Sequence, residues 1–376
     1  MKTILLKMMN KEFLGLVILV IVIGFFLVGL WPFNFIPENQ VQWLKDTNGI
    51  SFYGNGMMYT PNHLNQGNSP YQDDSITIEI WLQPRVKYNH FMADILSLYD
   101  DRKSEIFLIG QWEDSIILRH YLKKPDNNKQ YKEVGLDNIL IKDKTVFITI
   151  TSGDSGTTIY VDGKTAKLSP QFKLITDNSI SGNLIIGNSL TGKRYWTGEL
   201  YGIALYNGVL LPDQILNNYL SWTKSGAPEL SYEKVPLALY LFNEHSGTKV
   251  TNHSAPQDLI IPAILTILKK DVLTPPWESF RLNRSHVKDV LINFFGFIPF
   301  GFFFRAYLLK SVKIKREKIA ILTVLTGGGI SLIIELLQVN LPTRSSSLTD
   351  LILNTAGTAA GIILFNMTSG YIENPD

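Results

Sequence analysis

The chain has 376 residues, with 35 Lys and Arg against 33 Asp and Glu, a formal net charge of +2. Two domains are expected at that length, and a balanced charge with no basic aromatic patch argues against a nucleic-acid partner. There is no cysteine, which excludes a disulfide framework and a thiolate metal site.

A basic tail, residues 1–11 with Lys2, Lys7 and Lys11, precedes the uncharged run FLGLVILVIVIGFFLVGLW, Phe13–Trp31. That run is long enough to cross a hydrocarbon core. No small-x-small cleavage pattern follows, because the chain continues Trp31, Pro32, Phe33, Asn34, Phe35. An uncleaved transmembrane helix over 12–35 is therefore expected in place of a cleaved signal peptide. The basic tail predicts a cytoplasmic N terminus and a translocated segment after the helix.

Residues 41–252 read as a soluble all-β domain. In Ser75–Trp81, Ile76, Ile78 and Ile80 alternate with Thr77, Glu79 and Trp81, the period of a half-buried strand. TVFITIT and TTIYV are joined by the turn residues Ser152–Gly156, and Asp162-Gly163 predicts the next tight turn. Leu184–Gly187 and Gly198–Tyr206 supply further strands, and Pro212–Tyr219 a short helix. Strands at this spacing predict a β-sandwich.

The runs ITIEIWLQP, TTIYVDGK, NLIIGN and WTGELYGIALYNGVLLPDQI resemble concanavalin A-like jelly rolls of the laminin G (LamG) type. Leu237–Ser254 is similar to the strand that usually opens such a domain. Here it closes the domain, which implies a rearranged strand order or a strand completing the sandwich from its other end. The fold hosts lectins, hydrolases and adhesion modules alike. Related glucanases carry a Glu-x-Asp-x-x-Glu strand, whose carboxylates serve as nucleophile and acid. No such run occurs, so no catalytic residue is assigned, and the isolated Glu79 and Glu199 read as solvated strand carboxylates.

Trp112, Tyr195 and Trp196 are candidates to stack on a glycan; packing in the core or on its rim is the alternative. Asp100, Asp101, Asp154 and Asp162 are candidate Ca²⁺ ligands in the sandwich, with a turn-forming role as the alternative. No other cofactor is implied. His63, His90, His120, His245, His253 and His286 are scattered without metal-ligand spacing.

Residues 253–288 read as a linker. Its apolar segment LIIPAILTIL, 259–268, is too short to span a bilayer and is broken by Pro262. Lying on the outer membrane surface and docking on the sandwich are both open to it. Thr274-Pro275-Pro276-Trp277 adds a stiff end.

Three further membrane helices are expected over 289–309, 319–339 and 348–368. The basic loop 310–318 between the first two carries Lys310, Lys313, Lys315, Arg316 and Lys318, which predicts a cytoplasmic loop. The turn 340–347 then lies outside, and the tail 369–376 inside. Pro299 frees the carbonyl of Phe295 and predicts a kink, and the phenylalanines of 289–309 are expected to face lipid. Polar and small residues recur on one face of each helix: Asp289, Asn293 and Gly296; Gly328, Ser331, Glu335 and Gln338; Asp350, Asn354, Gly357 and Gly361.

The runs DVLINFFGFIPFGF, IELLQ and RSSSLTDLILNTAGTAAG, with WPFNF after the first helix, resemble the VanZ-like membrane family. That family is named for a member linked to teicoplanin resistance. The resemblance implies a four-helix unit in a bacterial cytoplasmic membrane, with the sandwich inserted after the first helix, and implies no reaction. With both termini inside, Asp289, Asn293, Glu335, Gln338, Arg344, Asp350 and Asn354 gather at the outer end of the helices as a candidate ligand-binding cluster. Arg344 is the natural partner of one carboxylate there. Mutual satisfaction that only fixes helix packing is the alternative, although intramembrane ionisable groups default to function.

The expected protein is therefore a multi-pass envelope protein combining an extracytoplasmic jelly-roll sandwich with a helical transmembrane unit. Its expected partners are the lipid bilayer and an envelope glycan or lipid-linked glycan. Two alternatives stand beside that reading: an envelope enzyme using Glu335 or Asp350 as acid/base, and a scaffold whose sandwich binds protein.

Overall fold

A computed structural model describes residues 10–64, 74–126, 129–176, 181–229, 235–279 and 284–373. Lys2, Lys7 and the end of the C-terminal tail lie outside the described residues. The chain divides into a helical unit, Met1–Phe35 with Lys270–Asp376, and a β unit, Ile36–Lys269.

The β unit is built from two antiparallel sheets. The first runs in the order β1 (Val41–Trp43), β2 (Ile50–Phe52), β13 (Gly198–Asn207), β4 (Ile76–Pro84), β9 (Val146–Gly153), β10 (Gly156–Val161), β11 (Lys164–Ser169), with β14 (Ala238–Tyr240) also on β13. The second runs β15 (Lys249–Val250), β16 (Leu259–Ile260), β3 (Met58–Tyr59), β12 (Asn183–Ile186), β5 (Tyr88–Tyr99), β6 (Glu105–Glu113), β7 (Ser115–Asp126), β8 (Lys129–Leu136). Alternation decides what lies between the sheets. Ile76, Ile78, Ile80 and Leu82 of β4 and Ile148 and Ile150 of β9 meet Ile95, Leu98, Ile109, Ile116, Leu118 and Leu184 from the second sheet. Each such side chain contributes about 1.5–3 kcal/mol on burial.

The closing run divides its strands between the sheets. β14 pairs with β13 through Ala238↔Leu205 and Tyr240↔Ile203, while β15 and β16 extend the second sheet beyond β3. Of the two placements open to LIIPAILTIL, it docks on the sandwich. Leu259–Ile260 forms β16, and Ile261 and Leu265 are buried. The β unit therefore extends past 252 to Lys269, because those apolar side chains find cover on it. Its two ends are joined to each other: the Leu265 N–H donates to the Pro37 carbonyl at 2.9 Å and the Asn39 N–H to the Ala263 carbonyl at 3.2 Å. The Asn39 amide adds a bond to the Pro262 carbonyl at 2.8 Å.

Helix α2 (Pro212–Ser225) covers part of the outer face of the first sheet, packing Ile215 and Trp222 on Phe147, Ala204 and Tyr206. It starts at a proline, whose missing N–H costs nothing there, and stops at Gly226 in the left-handed conformation, φ 74°.

The helical unit contains α1 (Lys11–Leu30), α3 (Arg284–Ser311), α4 (Arg316–Gln338) and α5 (Leu348–Glu373). All four are long and apolar enough to cross a membrane. Asn10 caps α1, its side chain accepting from the Phe13 N–H at 2.8 Å. α3 runs on through Pro299 as one helix. Phe295 is exposed, but the expectation that the phenylalanines of this helix face lipid fails for Phe297 and Phe300, which are buried. Phe297 stacks on Phe25 of α1 with ring centroids 4.0 Å apart.

Small residues bring α3 and α5 together. A Cβ on Gly357 would overlap the carbonyl oxygen of Phe294, one on Gly361 that of Ile298, and one on Gly301 that of Thr358. Backbone thus meets backbone, the close approach that small residues permit between helices in lipid.

Candidate functional sites

The polar faces expected on α4 and α5 do turn inward. Ser331, Glu335 and Gln338 are buried on α4, and Asn354 and Thr358 on α5. Asn354 Nδ2 donates to Ser331 Oγ at 2.9 Å, tying the helices together. One turn further along α4, Glu335 is 2% exposed. Its Oε2 accepts the backbone N–H of Ser347 at 2.7 Å, at the start of α5. The next N–H, of Leu348, is taken by the Thr274 carbonyl at 3.1 Å, because residues 273–274 run alongside Ser346. Gln338 closes the row, with Nε2 donating to the Gly29 carbonyl near the end of α1 at 2.9 Å.

Arg344 does not take the expected role. Its Nε donates to the Trp31 carbonyl and an Nη to the Val28 carbonyl, both at 3.0 Å. These are carbonyls at the end of α1, groups that no intrahelical N–H reaches. Arg344 therefore caps α1 and forms no ion pair with Glu335 or Asp350 among the described residues. Lys270, another cation at this end, donates to Asn340 Oδ1 at 2.6 Å. Asp350 is half-buried and lies within electrostatic range of Glu335. Asp289 is exposed and Asn293 half-buried on α3, so the seam proper consists of residues from α4 and α5. Two buried oxygens in it, Gln338 Oε1 and Asn354 Oδ1, have no hydrogen-bond partner among the described residues.

In the β unit the three aromatic candidates separate. Trp196 is fully buried, its Nε1 donating to Gln111 Oε1 at 2.8 Å, so its ring is unavailable for stacking on a sugar. Tyr195 is half-buried, edge-on to Phe91 with centroids 5.2 Å apart. Trp112 is 40% exposed at the end of β6. The four aspartates do not converge. Asp100 accepts two backbone N–H bonds of its own turn, Asp101 pairs with His63, Asp154 with Lys173, and Asp162 accepts the Phe147 N–H. Among the described residues, no group of three or more His, Asp or Glu is placed to hold a metal.

The expectation of solvated strand carboxylates is overturned for Glu79 and Glu199, both of which are buried. Glu79 lies under α2, where Asn218 Nδ2 reaches Oε1 at 2.8 Å and Trp222 Nε1 and Tyr206 Oη reach Oε2 at 2.9 and 3.2 Å. Burial pushes its carboxyl up to about 7 against the pull of those three donors. Away from α2, Arg85 holds Glu199 Oε1 through Nε at 3.0 Å and Nη2 at 2.6 Å, and Asp143 through Nη1 at 2.9 Å. Tyr201 Oη bonds Glu199 Oε2 at 2.7 Å and Gln83 Oε1 at 2.8 Å, and its ring lies 5.2 Å from that of Trp81. Gln83, Arg85, Trp81 and Tyr201 are all half-exposed. The alternation in sequence placed Trp81 on the face away from Ile76, Ile78 and Ile80 but did not reach Gln83 or Arg85, and the partners of all three on β13 come from more than a hundred residues away.

On the second sheet, Arg194 bridges the fully buried Asp94, at 2.9 Å from Oδ2, and Glu105, which also accepts from Tyr99 Oη at 2.7 Å. Burial pushes the Asp94 carboxyl up to about 6, with Arg194 opposing it.

A family model described as VanZ/LLP1 matches residues 235–369. One described as the concanavalin A-like lectin/glucanases superfamily matches residues 46–216. The chain thus carries a VanZ-like domain and a concanavalin A-like domain; α1 lies outside both matches. No curated protein matches the chain. Among solved structures it is similar to the receptor-binding domain of botulinum neurotoxin mosaic serotype C/D, at 14% identity over 50% of this chain and 46% of that one, TM-score 0.38. It is also similar to the binding domain of Paraclostridial Mosquitocidal Protein 1, at 15% identity over 50% and 48%, TM-score 0.37. A third is the heptameric SAP-like pentraxin from Limulus polyphemus, at 10% identity over 62% and 96%, TM-score 0.36. The chain spans about half the length of the first two.

Proposed function

We propose that this chain is an integral membrane protein of the cell envelope that recognises a glycan or a lipid-linked glycan. The β unit stands outside the cytoplasm and the helical seam receives the polar headgroup. A concanavalin A-like domain and a VanZ-like domain in one chain support the envelope reading, and the basic loop 310–318 supports the orientation. The observation that carries the glycan reading is the part of the first sheet's outer face not covered by α2. There Tyr201, its ring against that of Trp81 at the edge of the α2 cluster, stands half-exposed beside Gln83, Arg85 and Glu199, which hold one another in place. A sugar offers C–H faces to such rings and hydroxyls to such groups, and a bonded array meets them with little reorganisation.

The test is to purify the intact protein in mild detergent and identify the glycans and lipids that copurify. A glycan panel on the same preparation and on Tyr201→Ala completes it. Retention of a defined glycan, weakened by Tyr201→Ala, is the expected result. Failure to retain any glycan or glycolipid, with a protein partner retained instead, would replace recognition with the scaffold reading.

A further inference from the structure

The seam between α4 and α5 contains a surplus of one kind of group. Glu335 is almost wholly buried and receives the Ser347 N–H. Gln338 is 8% exposed and Asn354 5%, and the Oε1 of one and Oδ1 of the other are without partners. One N–H of each amide is already committed, to the Gly29 carbonyl and to Ser331 Oγ, so the atom left wholly unmatched on each is its oxygen. Arg344 and Lys270, which could have supplied positive charge, are bonded to Val28, Trp31 and Asn340. The seam therefore presents acceptors: a carboxylate flanked by two amide oxygens. Glu335 lies between the other two positions, about 4.5 Å along α4 from Gln338 and about 6 Å from Ser331, where Asn354 attaches.

An anionic ligand group would be repelled by the Glu335 carboxylate and would leave the two orphan oxygens unmatched, and buried acceptors left unmatched are costly. The complementary group carries N–H donors, positive charge and no acceptor; a primary ammonium has all three properties.

We propose that the seam binds the protonated primary amine of a headgroup, with Glu335 as the charged acceptor and Gln338 Oε1 and Asn354 Oδ1 as flanking acceptors. This rests on the reading above only in assigning the seam to a headgroup, and it adds the chemistry of the group bound. A lipid headgroup and a soluble amine share that chemistry.

The experiment uses the full chain in vesicles of phosphatidylglycerol mixed with equal parts of phosphatidylethanolamine and phosphatidylcholine, followed by native mass spectrometry of the lipids retained. Phosphatidylethanolamine should be retained over both others by about tenfold or more, the loss expected for one charge-assisted hydrogen bond. Glu335→Gln should abolish that preference with thermal unfolding near that of the parent. Competition by free ethanolamine at matched concentration would assign the amine to a soluble ligand and still support the chemistry. Phosphatidylcholine retained equally well, a cation without N–H donors, would overturn it without recourse to any variant. So would an unchanged preference in a folded Glu335→Gln protein. A glycan-bearing lipid copurifying with the protein from cells, with no preference for phosphatidylethanolamine in these vesicles, would overturn this inference and leave the glycan reading standing. Retention of no lipid would remove the headgroup assignment itself.

Discussion

Glu79 under α2 allows a prediction with a defined sign. Its carboxyl is moved from an ordinary 4.5 to about 7, chiefly by burial. Between those values the folded state holds a proton that the unfolded chain releases. Stability should therefore be highest below pH 4.5, decline as pH rises through the window, and level off above about 7. The difference amounts to about 3 kcal/mol from this group. Asp94 contributes a decline of the same sign at lower pH, up to about 6, so the comparison must be with a variant. Glu79→Gln keeps the shape, and the Asn218 amide can turn to present its oxygen to the new NH₂. Urea unfolding of Ile36–Lys269, followed by fluorescence from pH 4 to 8, should show the slope reduced by that amount. Glu79→Leu differs: it strands the Trp222 N–H while Tyr206 and Asn218 keep each other at 3.2 Å. A loss of about 1–3 kcal/mol is expected there. Identical pH profiles for the parent and Glu79→Gln would refute the claim that α2 desolvates this carboxylate.

Other predictions address the helical unit. Arg344→Ala should destabilise it by about 1.5–3 kcal/mol, because two carbonyls at the end of α1 lose a charged donor; Lys313→Ala should fall within about 0.5. Thermal scans in detergent check the order. Gly357→Leu drives a side chain into the Phe294 carbonyl and should cost more than the usual 1–3 kcal/mol of an overpacked core, roughly enough to prevent assembly; the readout is the yield of monodisperse protein. A reporter active only outside the cytoplasm should work when fused near Asn207 and fail after Gly370, and the reverse pattern would invert the orientation proposed for the seam.

Periodicity carried much of this structure. Ile76, Ile78 and Ile80 point into the sandwich as their alternation requires, and Ser331, Glu335 and Gln338 share the buried face their helical spacing predicts. Periodicity reports a face and not what covers it. Glu79 looked solvated because its cover, Asn218 and Trp222, lies some 140 residues later. Arg344 looked like a carboxylate partner because charge shows sign alone, whereas its bonds run to carbonyls 313 and 316 residues earlier. Trp196 has the composition of a sugar platform and the position of a core residue; its Gln111 partner on β6 decides between them. The run Leu259–Leu268 had two placements in sequence, and pairing with β3 selects one.

The paired ends of the β unit bear on how it transmits force. The chain enters at Ile36 and leaves at Lys269, and Pro37 and Asn39 are bonded directly to Pro262, Ala263 and Leu265. Tension applied between the two connections crosses that short clasp and bypasses the strands beyond it. The strands beyond that clasp then lie outside the load path. The same geometry gives the domain the form of a cassette: its two ends lie side by side, Pro37 against Leu265, so both of its connections leave from one place.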